Sequence, residues 1–217
     1  MTNGRGGFTD VAPRTYDRGM RRPFMTSPAQ LASLEGQQYL VLRPRTAVSD
    51  VYRAEQRSAL GRLDAPHPHT EHVTLRAFHE PERRDELLAL IREWAVAQRP
   101  VEVVAEAVDV FPAPWQVVIL RLRRTATLVS AYANLSAALE TTDFRRLDER
   151  PTEEWTFHLS VLYAKTLAPA AWTELSHKSR RSLSSRPSEI VHDAEFVWYE
   201  DGVEHAEVIP LGIRSFG

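Results

Sequence analysis

The sequence predicts an α+β fold with two lobes around a central cleft, and three observations support this prediction. Segments with the alternating apolar pattern of strands are interspersed with segments that have the period of amphipathic helices. The same order of elements, a strand, a helix and a hairpin, follows both His72 and His158. The chain has 217 residues, enough for one large domain or for two small lobes that share a cleft. We therefore expect an internal duplication within one domain.

The predicted domain follows a flexible N-terminal tail. Residues 1–25 are rich in glycine, arginine, proline and threonine and have no sustained periodicity, which is typical of a disordered arm. Residues 26–217 then form a single bilobed domain. Within it, lobe one is expected at about residues 64–125 and lobe two at about residues 151–212.

Apolar spacing and end signals predict the elements up to the middle of the chain. Ser27, Pro28 and Gly36 fit the N-cap, the first turn and the end of a short helix. A strand ends at Pro44, since proline cannot donate to a strand ladder. The predicted helices cover 27–36, 46–63, 82–100 and 125–142, and the predicted strands cover 38–44, 101–111 and 115–122.

The remaining elements repeat this order. A strand is predicted at 154–165 and a helix at 170–183. Two further strands, at 188–200 and 203–212, flank Asp201-Gly202. This dipeptide is a strong signal for a hairpin turn, because both positions tolerate a positive φ.

Composition excludes several classes of protein. Lys and Arg number 27 and Asp and Glu 29, so the net charge of −2 gives no overall attraction to nucleic acid or anionic membranes. The absence of cysteine excludes disulfides, thiolate nucleophiles and cysteine-based zinc sites. No apolar run approaches the roughly 18 residues of a membrane span, and the N-terminus does not resemble a signal peptide. We expect a cytoplasmic protein with no membrane contact.

Two short motifs carry the candidate chemistry. The tetrapeptides His72-Val73-Thr74-Leu75 and His158-Leu159-Ser160-Val161 share one pattern, in which a histidine and a hydroxyl residue alternate with apolar residues. On a strand, residues two apart lie on one face. Each motif therefore presents an imidazole and a hydroxyl on its polar face, and two such strands can line one cleft.

These residue types suit the in-line hydrolysis of a phosphodiester. The reaction needs a base that takes a proton from the attacking hydroxyl and an acid that protonates the leaving oxygen. Histidine can do either near neutral pH. A neighbouring hydroxyl can donate to a non-bridging phosphate oxygen as negative charge develops there. The sequence does not tell which histidine is the acid and which is the base.

The motif pair, one in each lobe, resembles the 2H phosphoesterase superfamily, which includes 2′-5′ RNA ligase-like proteins and RNA 2′,3′-cyclic phosphodiesterases. The resemblance covers roughly residues 38–212. It implies that His72 and His158 serve as acid and base, that Thr74 and Ser160 bind the phosphate, and that hydrolysis requires neither a metal nor a cofactor. The second motif has serine where the family more commonly has threonine.

Other residues near the motifs are candidates for substrate contact. Arg76 shares the predicted face of His72 and Thr74, and Lys165 follows the second motif. Strand alternation places Tyr163 on the core side, where it would pack.

His67 and His69 lie in the loop that leads into the first motif, at the expected rim of the cleft. Their His-x-His spacing matches a pair of metal ligands, and Glu71 or His72 could supply the third. We expect no metal there, because a proline-containing loop gives little reason to expect the supporting partners that hold a catalytic metal site.

The predicted function is that of a metal-independent phosphodiesterase with two-histidine acid/base catalysis. Its partner is an RNA end with a 2′,3′-cyclic phosphate or a 2′-5′ linkage, and no obligate protein partner is evident. Alternatives are a small cyclic nucleotide phosphodiesterase, of the type that acts on an ADP-ribose cyclic phosphate, a module of the same fold that binds phosphate or RNA without turnover, and a metal hydrolase built on His67, His69 and His72.

Overall fold

The computed structural model describes residues 21–212 and confirms the predicted α+β fold. The helices of this part of the chain are α1 (Pro28–Ser33), α2 (Ala47–Leu60), α3 (Arg84–Ala97), α4 (Ala126–Glu140) and α5 (Pro169–Ser179). The strands are β1 (Gln38–Leu42), β2 (Val73–Phe78), β3 (Val101–Phe111), β4 (Val117–Leu122), β5 (Arg146–Leu147), β6 (His158–Tyr163), β7 (Arg181–Ser182), β8 (Ser188–Val191), β9 (Asp193–Glu200) and β10 (Val203–Pro210).

The strands form two antiparallel sheets, and each sheet contains one motif strand. The first sheet has the order β10-β9-β1-β2-β5, and the second has the order β6-β4-β3-β7, with β8 also paired to β3. The motif strand β2 belongs to the first sheet and the motif strand β6 to the second. These two strands contact each other, so the two motifs meet where the sheets adjoin.

The sheets do not coincide with the contiguous lobes 64–125 and 151–212 that the sequence predicts. The hairpin β3–β4 follows the first motif but lies in the sheet of β6, and the hairpin β9–β10 follows the second motif but lies in the sheet of β2. Local periodicity identifies a hairpin but not the sheet edge with which it pairs, because that choice depends on distant parts of the chain.

The repeat in the structure is therefore strand, helix, strand, helix, strand. The first copy is β1-α2-β2-α3-β3, and the second is β4-α4-β6-α5-β9 with the short strands β5, β7 and β8 inserted. The last strand of each copy pairs with the first strand of the other, since β3 pairs with β4 and β9 pairs with β1.

The segment 188–200, predicted as one strand, divides at His192. The part before it, β8, pairs with β3, and the part after it, β9, pairs with β1. This segment thus carries the chain from the second sheet to the first. An alternating apolar pattern continues through such a crossing, so it does not reveal that the pairing partner changes.

The main core lies between the sheets and their helices. Leu40 and Leu42 of β1, Val48 of α2, Leu87 of α3 and Leu135 of α4 are fully buried in it. A smaller apolar cluster of Phe24, Val41, Val197 and Tyr199 covers the opposite face of the first sheet. Among residues 21–212, no helix combines the length and the apolar character needed to cross a bilayer.

The predicted flexible tail, residues 1–25, lies outside the described residues up to position 20. Its last residues, 21–25, are packed against the first sheet. Phe24 is 2% exposed, and Arg21 forms an ion pair with Glu204, with 2.7 Å between Nη1 and Oε1. An aromatic side chain and a paired arginine give this segment the interactions that a solvated arm lacks. The tail prediction is therefore wrong for residues 21–25.

Candidate active site

Both motifs present a histidine and a hydroxyl residue on the face of their sheet that points away from the main core. Val73 and Leu159, between the two polar residues of each motif, are fully buried in that core. His72, Thr74 and the equivalent pair in the second motif are half-buried. We call the face that carries them the cleft face of each sheet.

A β-bulge follows the hydroxyl residue in both motif strands. Leu40 of β1 pairs with Arg76 while the next residue, Val41, pairs with Thr74, so Leu75 is skipped. In the second sheet, Val118 pairs with Leu162 and Ile119 pairs with Ser160, so Val161 is skipped. A bulge inserts one extra residue and thereby reverses the alternation of side chains beyond it.

The bulge at Leu75 moves Arg76 to the core side of the sheet, so the expectation that Arg76 shares the face of His72 is wrong. The Arg76 side chain is 1% exposed. Its guanidinium lies 4.4 Å from the ring centroid of Tyr132, donates to the Ser136 hydroxyl and is 3.5 Å from a carboxylate oxygen of Glu149. A side chain held in this way stabilises the core and cannot reach a substrate in the cleft.

The bulge at Val161 has the opposite effect on Tyr163, which the sequence places in the core. The Tyr163 side chain is half-buried on the cleft face, opposite Val117 of β4. Burial raises the pKa of the Tyr163 phenol, and the neighbouring Ser160 hydroxyl opposes this shift. Strict strand alternation does not reveal this aromatic residue beside the second motif, because the alternation is broken at the bulge.

Each motif histidine is held by the carbonyl two residues before it. The Nδ1 atom of His72 lies 3.3 Å from the Thr70 carbonyl oxygen, and that of His158 lies 2.8 Å from the Thr156 carbonyl oxygen. A carbonyl can only accept, so Nδ1 carries the proton in both rings. When either ring is neutral, its Nε2 is the unprotonated nitrogen and can act as a base.

The surroundings of the two rings lower their proton affinity. Burial lowers the pKa of His72 to about 4, and the positive charges of Arg43 and His158 act in the same direction. The Thr70 carbonyl and Glu195 oppose this shift. Burial also lowers the pKa of His158, against the effect of the Thr156 carbonyl. The influence of His158 on His72 reflects how near the two motifs are.

An arginine lies beside each motif histidine, on the adjacent strand or directly after it, and the strand pattern alone revealed neither arginine. Arg121 of β4 is opposite His158. Arg43 directly follows Leu42, the partner of Val73, and so continues the pairing toward His72. Each arginine pairs with a carboxylate: Nε of Arg43 lies 2.8 Å from Glu195 and Nη1 of Arg121 lies 3.1 Å from Asp109.

A signal for these arginines is present in the sequence. The string "LRPRTA" at 42–47 and the string "LRLRRTA" at 120–126 each contain the arginine, a second basic residue and the Thr-Ala start of a helix. The two strings occupy equivalent places in the structural repeat. The two arginines become visible when the copies of the repeat are compared from β1 and β4, the strands that precede the motifs. The predicted strand-helix-hairpin repeat begins only at the motif strands and therefore does not include the arginines.

The loop before the first motif is attached to the strand of the second. The backbone N–H of Tyr163 donates to the Pro66 carbonyl at 2.9 Å. The side-chain nitrogen of Gln56, on α2, lies 2.9 Å from the Pro68 carbonyl and 3.1 Å from the Val161 carbonyl. These contacts join a loop and a strand that are far apart in sequence and hold the two motifs in one arrangement.

His67 and His69 lie in this loop, with their ring centroids 5.3 Å apart. The Nδ1 atom of His67 contacts the Ala65 carbonyl, and the Nε2 atom of His69 contacts the Thr26 hydroxyl. Lys165 is exposed just beyond β6.

The alternative metal site is not assembled in the described part of the chain. Within residues 21–212, no three histidine or acidic side chains come together as ligands for a metal ion. Glu71, a possible third ligand, is instead 2.7 Å from the Arg53 guanidinium and accepts from the Ser49 hydroxyl.

Comparison with known structures identifies the fold. TT0787 of Thermus thermophilus matches with a TM-score of 0.60 and 16% identity over 81% of this chain and 98% of that chain. Usb1 of Kluyveromyces marxianus matches with a TM-score of 0.53 and 12% identity over 82% and 100% of the two chains. LigT of E. coli, in a complex with 3′-AMP, matches with a TM-score of 0.52 and 14% identity over 81% and 95%.

Sequence comparison agrees with this result. Among curated proteins, no sequence matches this chain. The family model described as the 2′-5′ RNA ligase superfamily matches residues 47–202, a range that contains both motifs. With this match over most of its length, the chain belongs to the 2′-5′ RNA ligase superfamily of 2H phosphoesterases.

Proposed function

We propose that this protein is a phosphodiesterase that needs no metal ion and acts on a ribose-linked phosphodiester, either an RNA end with a 2′,3′-cyclic phosphate or a 2′-5′ linkage. One observation carries the proposal. Two imidazoles, one directly before β2 and one at the start of β6, which contacts β2, are each held through Nδ1 by a backbone carbonyl, and this leaves both Nε2 atoms for a substrate. A hydroxyl residue stands two positions after each imidazole.

The two histidines take different roles in this proposal. His72 has a pKa of about 4, so it is neutral under most conditions and is suited to accept a proton. Burial lowers the pKa of His158 as well, against the effect of the Thr156 carbonyl, and we assign His158 the complementary role of proton donor. Acid/base catalysis of this kind requires one group that accepts a proton and one that donates it.

The hydrolysis of a cyclic phosphate follows from these roles. His72 Nε2 takes a proton from water as the water oxygen bonds to phosphorus. The bond from phosphorus to one ribose oxygen breaks, and that oxygen receives the proton of His158. The Thr74 and Ser160 hydroxyls donate to the non-bridging oxygens, where charge accumulates. The product is a ribose phosphomonoester, and exchange of protons with solvent restores both histidines.

The ligands of two similar structures agree with this substrate class. The LigT structure is a complex with 3′-AMP, and a second Usb1 structure is a complex with uridine monophosphate. Both ligands are nucleoside monophosphates, the kind of product that the opening of a nucleoside cyclic phosphate yields.

A turnover assay with and without EDTA tests the proposal. The substrates are an oligoribonucleotide with a 2′,3′-cyclic phosphate, 2′,3′-cyclic AMP, a 2′-5′-linked dinucleotide and an ADP-ribose cyclic phosphate. We expect turnover of an RNA substrate that survives EDTA and is lost in His72→Ala and His158→Ala.

Three results would contradict the proposal. Preference for the ADP-ribose compound would identify a small-molecule enzyme. Loss of activity with EDTA and recovery with zinc would identify a metal hydrolase. Binding of 3′-AMP without turnover of any substrate would identify a module that binds but does not catalyse.

A further inference from the structure

The segment 21–26 lies on the cleft face of the first sheet, next to His72. The ring of Phe24 is 4.3 Å from the ring of His72, measured between centroids, and packs in the cluster with Val41, Val197 and Tyr199. This segment precedes residues 47–202, the range that the family model matches. The chain thus adds a side chain to the His72 half of the site from outside the matched region.

Backbone hydrogen bonds fix the segment on both sides of Phe24. The N–H groups of Phe24 and Met25 donate to the carboxylate of Glu204 on β10, at 2.8 and 3.1 Å. The Phe24 carbonyl accepts from the backbone N–H of His69 at 2.8 Å. The segment therefore connects the edge of the first sheet to the loop that leads into the first motif.

Two arginines pack against the Phe24 ring, and one of them also contacts the residue whose carbonyl holds His72. The guanidinium of Arg43 lies 4.5 Å and that of Arg21 5.1 Å from the Phe24 centroid, within the range of a cation–π contact. Both arginines pair with Glu195. Arg43 also donates to the Thr70 hydroxyl at 2.8 Å, and the carbonyl of that same residue contacts His72 Nδ1.

In the other half of the site, a phenylalanine from a different part of the chain also packs against the motif histidine. Phe111 of β3 packs against His158, with 4.8 Å between ring centroids, and the Thr156 carbonyl contacts Nδ1. Each histidine is thus held by the carbonyl two residues before it and by one phenylalanine. In the second sheet that phenylalanine belongs to a strand of the sheet, and in the first sheet it belongs to the segment 21–26.

We propose that Phe24 is a positioning residue for His72, equivalent to Phe111 for His158, and that the segment 21–26 is part of the active site. The effect of Phe24 on turnover rests on the proposed function, but its effect on the His72 ring does not. Without the aromatic ring, one face of His72 would be open to water, and of these two contacts only the Thr70 carbonyl would hold the orientation of the imidazole.

Because burial is the largest influence on the proton affinity of His72, removal of Phe24 should raise its pKa. The charged and titratable groups that face this part of the site come from six neighbouring parts of the structure. They are Arg21 on the segment, Arg43 directly after β1, His69 and Glu71 in the loop, Glu195 on β9, Glu204 on β10, and His158 on β6.

Titration of the imidazoles by two-dimensional ¹H–¹⁵N NMR tests the proposal on the full chain. The variants are Phe24→Ala, Phe24→Leu, which keeps an apolar side chain, and Phe111→Ala as the matched control. We expect Phe24→Ala to move the titration of His72 to higher pH and to leave that of His158 in place, with Phe24→Leu intermediate. Phe111→Ala should move the titration of His158 to higher pH and leave that of His72 in place.

Kinetics with 2′,3′-cyclic AMP provide the second measurement. A positioning role predicts that Phe24→Ala lowers kcat by roughly tenfold or more, while KM changes little, since orientation of the catalytic group is lost and not ground-state binding. An unchanged His72 titration in folded Phe24→Ala and Phe24→Leu would overturn the proposal. An increase in kcat/KM would also overturn it, because the ring would then obstruct the site.

The two proposals can fail separately. If none of the phosphodiester substrates is turned over but the His72 titration still moves in Phe24→Ala, the proposed function is wrong and the positioning contact stands. If Phe24→Ala does not fold, Phe24→Leu and Glu204→Gln, which weakens the attachment of the segment, carry the same test.

Discussion

Leu75 and Val161 occupy equivalent positions in two different sheets: each follows the hydroxyl residue of a motif strand, and each is skipped by the neighbouring strand. Bulges bend a strand and re-aim the side chains beyond it, and they are frequent beside active sites. Here side chains alternate from the histidine of each motif to the skipped residue, and the alternation breaks after it. Arg76 and Leu162, two residues after the hydroxyl residues, therefore lie on the core side and not on the cleft face.

The position of Arg76 leads to a prediction about stability. Arg76→Ala should lower the free energy of unfolding by about 2–5 kcal/mol, the range for truncation of a large buried side chain. Arg76→Met, which keeps apolar volume, should be much milder, because burial of a cation carries its own desolvation cost. Denaturant unfolding of both variants measures this, and kcat/KM of Arg76→Met should equal that of the parent. If Arg76→Met lost as much turnover as His72→Ala, Arg76 would have to be part of the active site.

The two motif histidines should act on one transition state. His72→Ala and His158→Ala should each lower kcat by roughly 10²–10⁴-fold, the usual effect of a positioned acid or base. The double variant should lose much less than the product of the two effects, since groups that act as a unit are not additive. Steady-state kinetics of the three variants measure this. The exposed His177→Ala serves as control. Multiplicative losses would show that the two residues act independently.

The hydroxyl residues should contribute less than the histidines. Thr74→Ala and Ser160→Ala each remove one donor to the phosphate while the others remain, so we expect a loss of about 10–10³-fold in kcat. Thr74→Ser and Ser160→Thr should retain most of the activity, because they keep the hydroxyl. If Thr74→Ser is as impaired as Thr74→Ala, the methyl group and not the hydroxyl is needed.

The pH dependence of kcat/KM should be bell-shaped with a maximum below neutral pH. The acid limb rises as His72 loses its proton, with a pKa of about 4. The alkaline limb falls as His158 loses its proton, and its pKa is lowered by burial. Because the two sites interact, the limbs report the pair. A maximum above neutral pH for 2′,3′-cyclic AMP would contradict the assigned roles.

Protein stability should fall as the pH decreases from about 6.5 to about 4. In the unfolded chain His72 binds a proton near its ordinary value of about 6.5, but in the folded protein only near pH 4. Between these values the unfolded state binds more protons, so acid favours unfolding there. His72→Asn should therefore lose less stability than the parent between pH 6.5 and 4. Denaturant unfolding of both proteins at several pH values measures this difference. Carboxylates titrate in both proteins, so the difference in the loss of stability between them reports His72. As a control, His177→Asn should lose as much stability as the parent.

The sequence by itself determined what depends on local periodicity. The helices α2, α3 and α4 and the strand pairs around the hairpin turns were predictable because apolar spacing along a few turns or residues is enough to identify them. The two motifs were equally visible, because a histidine and a hydroxyl two residues apart need only one strand to share a face. The family assignment followed from that pair and is confirmed.

Only the tertiary structure decided the features that depend on contact between distant segments. Three features require a partner far along the chain: the exchange of hairpins between the sheets, the bulges that bury Arg76 and turn Tyr163 to the cleft face, and the contact of Phe24 with His72. A strand pattern states which side chains alternate, but the neighbouring strand sets the register and so decides where that alternation breaks. For the same reason, the sequence around Phe24 resembles a polar tail. Its packing on the first sheet and its contact with Glu204 depend on residues far along the chain.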